Sequence, residues 1–168
     1  MKKVAVIYSF NSVKSAKIAS KIADQLTAFT VEKLNVENFT GKEFLTYDYF
    51  VLSVPTWFDG ELPNYWDEIL PALEKLDFKG KKMAFFGLGD QKNYPENFCD
   101  AVGILSDFFE RKGAEIMGYT STEGYDFESS KALKGSKFAG LLLDQENQSK
   151  LTDARILNWV NQLQIEFK

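Results

Sequence analysis

The sequence contains no histidine and only one cysteine, Cys99, among its 168 residues. Without histidine, the chain can form neither a histidine-based catalytic triad nor a metal site with imidazole ligands. A single cysteine permits no intramolecular disulfide and no metal cluster held by cysteines. If a chain this poor in reactive side chains takes part in chemistry, we expect it to use an organic cofactor.

The chain also lacks an excess of positive charge and any long apolar run, which restricts its possible partners. The formal net charge is −4, which argues against nucleic acid or an anionic membrane as the main partner. No apolar run reaches the ~18 residues that a membrane span needs. The apolar stretch near the N-terminus is too short for the core of a signal peptide. We therefore expect a cytoplasmic protein that binds neither nucleic acid nor membrane.

The composition is otherwise that of an ordinary globular protein. Hydrophobic residues make up 45% of the chain and charged residues 26%. Aromatic residues are abundant at 15%, which allows stacking surfaces beyond the core. The length suits one domain with a sizeable core, and no linker, repeat or low-complexity tract divides the chain. We predict a single domain over residues 1–168.

Strand and helix signals alternate along the chain. Short apolar runs rich in β-branched residues predict five strands, at residues 3–8, 29–34, 47–54, 82–87 and 114–119. Apolar residues at helical spacing predict four helices, at residues 12–26, 65–76, 98–112 and 151–167. This alternation predicts an α/β protein with a parallel sheet covered by helices on both faces.

The polar stretch at residues 121–140 interrupts the alternation. It is rich in Gly, Ser and Lys, and the apolar run 141–143 follows it. We interpret the stretch as an insertion that splits the fifth strand, so that residues 138–143 resume the sheet. The alternative is an extended surface loop that only covers a sheet edge.

The predicted strand order places a ligand site between three loops. In a doubly wound sheet ordered 2-1-3-4-5, ligands bind outside the carboxyl ends of the strands, where the winding reverses between strands 1 and 3. The loops at residues 9–15, 55–62 and 87–99 meet at that point. The first of them leads into a helix, whose free N–H groups can bind an anion with help from the hydroxyls of Ser12 and Ser15. Ser12 is explained equally well as a helix N-cap.

The second and third loops carry more distinctive motifs. Residues 55–62 read Pro-Thr-Trp-Phe-Asp-Gly-Glu-Leu, and residues 87–98 read Gly-Leu-Gly-Asp-Gln-Lys-Asn-Tyr-Pro-Glu-Asn-Phe. The two glycines of the third loop permit close approach of a ligand to the backbone. Trp57 and Tyr94 offer two flat rings, and Asp90 offers a polar group to the edge of a flat ligand.

These motifs resemble those of the flavodoxins, specifically the long-chain type. That family carries Pro-Thr-Trp-x-x-Gly-Glu-Leu after strand 3 and Gly-x-Gly-Asp-Gln-x-x-Tyr-x-x-Asn-Phe after strand 4. The likeness also includes residues 124–127, 130–133 and 144–148, and it covers essentially the whole chain. It implies a flavodoxin-like three-layer sandwich, with a five-stranded parallel sheet in the order 2-1-3-4-5 and an insertion in strand 5.

The resemblance also implies a cofactor and a function. Flavodoxins bind FMN non-covalently and carry single electrons at low potential between a reductase and acceptor proteins, without acting as enzymes. Trp57 and Tyr94 match the two rings that flank the isoalloxazine, and the backbones of Asp90 and Cys99 match positions that read its pyrimidine edge. The implied FMN contacts, with no catalytic or metal-binding residue among them, are Ser9, Phe10, Asn11, Ser12, Val13, Lys14, Ser15, Pro55, Thr56, Trp57, Phe58, Asp59, Gly60, Leu88, Gly89, Asp90, Tyr94, Asn97, Phe98 and Cys99.

The loop at residues 9–15 departs from the family's phosphate-binding pattern, Gly-Thr-x-Thr-Gly-x-Thr. Both glycines and one hydroxyl are missing, although Ser12 and Ser15 keep the other two. Val13 resists positive φ, and Phe10 is expected to place bulk where the phosphate would lie. Either the loop is rearranged or it binds phosphate weakly. The second possibility suggests an alternative function, a flavodoxin-like module with weakened or lost FMN binding that acts as a binding or regulatory protein.

Acidic residues follow the second loop. Residues 57–74 contain no Lys or Arg but five acidic side chains, and two more lie in the insertion: Asp59, Glu61, Asp67, Glu68, Glu74, Asp126 and Glu128. We predict an acidic surface around the cofactor edge that docks redox proteins onto a monomer. A solvated helix face is the alternative, and Asp59 is either a charge close to the flavin or a solvated loop carboxylate.

Overall fold

The computed structural model describes all of residues 1–168. Its nine strands are β1 (Lys3–Tyr8), β2 (Thr30–Asn35), β3 (Tyr49–Ser53), β4 (Lys82–Leu88), β5 (Glu115–Met117), β6 (Thr120–Ser121), β7 (Leu133–Lys134), β8 (Lys137–Phe138) and β9 (Leu141–Leu143). Its α-helices are α1 (Val13–Gln25), α2 (Asn64–Leu73), α3 (Asp100–Arg111), α4 (Gln145–Gln148) and α5 (Thr152–Glu166). Three 3₁₀ helices lie at Val36–Asn38, Lys42–Leu45 and Ser149–Leu151. The five strands and four helices predicted from the sequence are all present, with ends shifted by at most three residues.

The main sheet is parallel, with the strand order β2-β1-β3-β4-β5. The predicted order 2-1-3-4-5 is therefore confirmed. Winding reverses between β1 and β3, so the loops that follow these strands open at the same edge of the sheet. None of the helices is both long enough and apolar enough to cross a membrane.

The fifth position of the sheet is shared by two short strands. β5 pairs with the first part of β4, from Lys82 to Ala84, whereas β9 pairs with the last part, from Phe86 to Leu88. The predicted split of the fifth strand is thus confirmed. The sheet resumes at Leu141 rather than at residue 138, because Lys137 and Phe138 pair antiparallel with β6 and β7 in a separate three-stranded sheet.

Two hydrophobic cores lie on opposite faces of the main sheet. Successive residues of a strand point to opposite faces, so Val4 and Val6 join one core while Ala5 and Ile7 join the other. The first core is completed by α1 and α5, and the second by α2 and α3. The central strands are buried on both faces, which accounts for their continuous apolar runs.

The insertion packs as part of the second core. Ala132 and Phe138 are fully buried in it, and Tyr125 and Phe127 pack against it. The rings of Tyr125 and Phe127 lie 5.1 Å and 5.3 Å from that of Phe138. The insertion therefore contributes to the core, so the alternative of a loop that only covers a sheet edge is wrong.

Candidate functional site

A cavity of about 370 Å³ opens at the carboxyl ends of β1, β3 and β4. Its volume lies within the range of small-molecule sites. All three predicted loops contribute, through thirteen of the twenty residues predicted to contact FMN: Ser12, Lys14, Ser15, Pro55, Thr56, Phe58, Leu88, Gly89, Asp90, Tyr94, Asn97, Phe98 and Cys99. The other seven belong to the same loops but do not line the cavity: Ser9, Phe10, Asn11, Val13, Trp57, Asp59 and Gly60.

The beginning of the first loop is tied to a segment outside the cavity. The Ser9 hydroxyl and the Asn11 side-chain amide both donate to the same Glu37 oxygen, over 2.6 Å and 2.8 Å. The Phe10 ring packs on Tyr8, with 4.9 Å between ring centroids. The Phe10 ring therefore lies outside the cavity and leaves it open. These hydrogen bonds hold the loop in a form that does not need the family's glycines.

The end of the first loop retains an anion-binding geometry. Helix α1 begins at Val13, so the N–H groups of its first turn have no partner within the helix. The Val13 side chain is 83% exposed and does not obstruct the cavity. Ser12 occupies the N-cap position, but its hydroxyl makes no capping hydrogen bond. The hydroxyls of Ser12 and Ser15 therefore lie beside unpaired N–H groups at one end of the cavity.

Two lining residues, Gln145 and Glu146, were not predicted from the sequence. They open helix α4, within the stretch 144–148 that resembles flavodoxins. The Lys14 Nζ lies 2.8 Å from the Glu146 Oε1. This hydrogen bond and the attraction of the carboxylate raise the pKa of Lys14. A cation and an anion thus lie together at the end of the cavity that is formed by Ser12 and Ser15.

The second loop carries two of the predicted aromatic rings, Trp57 and Phe58. Trp57 and Glu61 exchange two backbone hydrogen bonds of 2.9 Å and 2.8 Å, which close a tight turn. The Trp57 ring meets Tyr65 edge-on, at 5.7 Å between ring centroids, and does not line the cavity. Phe58 does line it, with its side chain 73% exposed and its φ at +48°. The cavity wall here is Phe58, and its ring meets that of Trp57 edge-on, at 6.5 Å between ring centroids.

Gly60 and Asp59, in the same loop, differ in their surroundings: the first is crowded and the second is exposed to solvent. Gly60 has φ +92°, and a Cβ there would lie 2.8 Å from Asp100 Oδ2, so the turn requires glycine. Asp59 is exposed and forms no ion pair. This environment is that of a solvated loop carboxylate.

In the third loop, the carboxylate of Asp90 is occupied by neighbours of the same chain. It accepts hydrogen bonds from the N–H groups of Lys92 and Asn93, at 3.1 Å and 3.0 Å, and from the Asn147 amide at 2.8 Å. Partial burial opposes ionisation of Asp90, but these hydrogen bonds outweigh it and lower its pKa. The Asp90 carboxylate is thus held by three donors of the chain, and its contact with a ligand stays a prediction.

The backbone of the third loop retains free donors. The N–H groups of Asp90 and Cys99 make no hydrogen bond within the chain, although both residues line the cavity. Unpaired N–H groups away from water are rare, because each costs about 1–3 kcal/mol when left unsatisfied. They suit a ligand edge that carries hydrogen-bond acceptors.

Gly89 and Cys99 approach each other closely below these donors. A Cβ on Gly89 would lie 2.6 Å from the Cys99 Sγ and 3.0 Å from the Phe98 ring. Burial, and then the charges of Asp144 and Asp100, raise the pKa of the Cys99 thiol well above its ordinary value. The thiol therefore remains protonated and serves as a small buried side chain.

The fold and this cleft together define a flavodoxin-like α/β protein that holds its ligand at the carboxyl edge of a parallel sheet. The sequence profile of the Flavodoxin family matches residues 6–159. The chain belongs to the flavodoxin family.

Individual flavodoxins are similar to the chain over nearly its whole length. It is 42% identical to a flavodoxin of Nostoc sp. strain PCC 7120 over 166 residues, which span 99% of this chain and 98% of the other. It is 38% identical to flavodoxin 1 of Escherichia coli K12 over 162 residues, 96% of this chain and 92% of the other. A crystal structure of Fusobacterium nucleatum flavodoxin bound to flavin mononucleotide superposes with a TM-score of 0.94, at 35% identity and complete coverage of both chains.

Membership places the chain among FMN-binding electron carriers that are not themselves enzymes. The function predicted from the sequence motifs is confirmed at this level. Nothing in the structure favours the alternative of a module that has lost its cofactor.

Proposed function

We propose that the cavity holds one FMN and that the chain carries single electrons between a reductase and acceptor proteins of the cytoplasm. The observation that carries the proposal is the pair of unpaired N–H groups, on Asp90 and Cys99, in a cleft whose other end is the N-terminus of α1. A flat heterocycle with hydrogen-bond acceptors at one edge and an anionic tail suits a cavity that has free N–H donors at both ends. The FMN-bound relative with the same fold supports the choice of FMN.

Each part of the cavity has a task in this proposal. FMN supplies the redox chemistry, and the protein binds it, orients it and limits its contact with water. The rings of Tyr94 in the third loop and of Trp57 and Phe58 in the second loop enclose the flat ring system. The N–H groups of Asp90 and Cys99 hold its polar edge, while Ser12, Ser15 and the first turn of α1 hold the phosphate. Pro55, Thr56, Leu88, Asn97 and Phe98 complete the walls of the cavity.

Removing the Tyr94 ring tests the proposed stacking. Tyr94 is 52% exposed at the cavity. Stacking of a base on an aromatic ring is worth about 1–3 kcal/mol, so we expect Tyr94→Ala to weaken FMN binding about 10- to 100-fold. Titration of the apoprotein, followed by quenching of flavin fluorescence, measures the effect. The matched control is Leu157→Ala, since Leu157 is similarly exposed, at 51%, on α5.

Absorbance and stoichiometry test the function as a whole. The apoprotein is expected to bind FMN at one molecule per chain, to show the visible absorbance of a flavin and to accept electrons one at a time in a redox titration. Failure to bind either FMN or riboflavin at millimolar concentration would overturn the proposal. A Tyr94→Ala variant with unchanged affinity would refute only the role of that ring.

We infer that redox partners dock on an acidic surface beside the second loop, and that the chain does so as a monomer. We define this acidic rim as Asp59, Glu61, Asp67 and Glu68. All four side chains are exposed and none forms an ion pair, whereas Glu74 pairs with Lys112 at 3.9 Å. Uncompensated charges of one sign steer a partner of opposite charge.

Neutralising two charges of the acidic rim tests the docking surface. We expect Asp67→Asn with Glu68→Gln to slow reduction by a reductase with a basic face about 2- to 5-fold at low ionic strength and to flatten its salt dependence. Stopped-flow absorbance of the flavin measures the rate. Asp24→Asn with Glu115→Gln is the control, because it removes the same charge from exposed, unpaired positions on α1 and β5. Equal effects of the two double variants would contradict the rim.

A further inference from the structure

One carboxylate stands in the part of the cavity that is proposed to receive a phosphate. Glu146 lines the cavity together with Ser12, Lys14 and Ser15. Its Oε1 accepts a hydrogen bond of 2.8 Å from the Lys14 Nζ. A carboxylate repels an anionic ligand. By pairing with Lys14, the Glu146 carboxylate also engages the one lysine that lines the cavity.

The position of Glu146 is fixed by the hydrogen bonds of its neighbours. Asp144 is fully buried at the N-cap of α4, where its carboxylate accepts the N–H of Asn147 at 3.0 Å. The Asn147 amide reaches Asp90, and the Gln148 amide donates to the carbonyl of Gly124 at 2.7 Å. Because these contacts hold α4 against the third loop and the insertion, the backbone of Glu146 cannot move away from the cavity without breaking them.

The Lys14–Glu146 pair does little for the stability of the fold. The two side chains are 70% and 55% exposed, and exposed ion pairs contribute little to folding. Its effect on a nearby anion is larger, because Lys14 lies in the first turn of α1, where the helix dipole also attracts negative charge. The negative charge of Glu146 therefore opposes the attraction of an anion both by Lys14 and by the dipole of α1.

We propose that Glu146 is a specificity-determining residue that holds Lys14 and thereby lowers the preference of the cavity for FMN over riboflavin. The proposal rests on the proposed function. FMN and riboflavin share the isoalloxazine and differ in the phosphate, so a charge at the phosphate end acts on only one of them. The ratio of the two dissociation constants therefore reports on the Lys14–Glu146 pair.

The chain provides a matched control on the same helix. Lys21 of α1 pairs with Asp153 of α5, also at 2.8 Å, and neither residue lines the cavity. Asp153→Asn removes one negative charge and one ion pair of α1, as Glu146→Gln does, but away from the proposed phosphate site. Any effect of the overall charge of the protein is common to both variants.

The experiment titrates the apoproteins with FMN and with riboflavin at low ionic strength. We expect Glu146→Gln to tighten FMN binding about 3- to 10-fold, to leave riboflavin within about 2-fold, and to lose most of its advantage at 1 M salt. Lys14→Met is expected to weaken FMN binding selectively, and Glu146→Gln should gain less in that background. Asp153→Asn is expected to change neither constant.

Two outcomes would overturn the inference. One is an unchanged ratio of the two dissociation constants in Glu146→Gln, whether both constants stay the same or both shift equally. The other is the same change of that ratio in Asp153→Asn. Each of them presupposes that the wild-type protein binds flavin. Absence of any flavin binding by the wild type would instead refute the proposed function, so the two failures are distinguishable.

Discussion

Substitution of Gly103 by alanine is expected to destabilise the protein by about 3 kcal/mol, at the upper end of the cost of overpacking a core. Gly103 lies inside α3, where alanine normally stabilises a helix by about 1 kcal/mol relative to glycine. Here a Cβ would lie 2.1 Å from the carbonyl oxygen of Lys131 and 2.6 Å from the backbone nitrogen of Ala132. Because these atoms belong to the backbone, the insertion or the helix has to move.

Urea unfolding followed by circular dichroism measures this effect. Gly80→Ala is the control, since a Cβ at Gly80 would meet no atom within 4 Å. Gly80 has φ +83°, so its substitution is expected to cost about 1–2 kcal/mol from backbone strain alone. A Gly103→Ala variant as stable as the wild type would show that the insertion does not lie this close to α3.

Displacement of the insertion would also alter the cavity, through the residues next to Cys99. The N–H of Lys131 donates to Asp100 Oδ1 over 2.8 Å, and Asp100 is the first residue of α3, directly after Cys99. Burial raises the pKa of Asp100, and the hydrogen bond from Lys131 opposes that rise. Gly103→Ala is therefore expected to weaken flavin binding as a secondary effect of the shifted insertion.

The fold was accessible to sequence reasoning because its signals are local. Buried strands read as apolar runs and the covering helices as amphipathic repeats, so both could be located to within a few residues. The insertion was recognised as polar, but its antiparallel sheet was not. Strands of two residues, such as β7 and β8, carry too few positions to show an alternating pattern. Phe138 consequently looked like part of the resumed main sheet.

The position of the cavity and most of its lining residues could be predicted from the strand order and the loop motifs. Contacts between residues far apart in the sequence could not. The sequence of residues 9–15 left open whether the loop is rearranged or binds phosphate weakly, because nothing local indicates that Glu37 holds Ser9 and Asn11. Glu146 was missed for the same reason, since its partner Lys14 is 132 residues away. Trp57 was expected at the cavity from its motif, and this stays a prediction, since Trp57 packs on Tyr65 beside Phe58, which lines the cavity.

Substitution of Gly89 by alanine is expected to weaken flavin binding about 100-fold or more. The new Cβ would lie 2.6 Å from the Cys99 Sγ and 3.0 Å from the Phe98 ring. Either the methyl group or the displaced neighbours then disturb the free N–H groups of Asp90 and Cys99. A cost of about 2–3 kcal/mol for such overpacking corresponds to this loss of affinity. Fluorescence titration should show the same loss for FMN and riboflavin, because the disturbed end is remote from the phosphate.

Removing the obstructing sulfur distinguishes crowding from a general loss of structure. In the Cys99→Ala background, the contact with Sγ is absent and only that with Phe98 remains, so Gly89→Ala should lose much less affinity than it does in the wild type. Gly135→Ala is the control for a methyl group added outside the cavity, since Gly135 has open space around it and does not line the cavity. Equal losses with and without the sulfur would show that Gly89 serves the site by some means other than close approach to Cys99. Restored affinity would identify that approach as the reason glycine is needed next to the N–H groups proposed to bind the flavin.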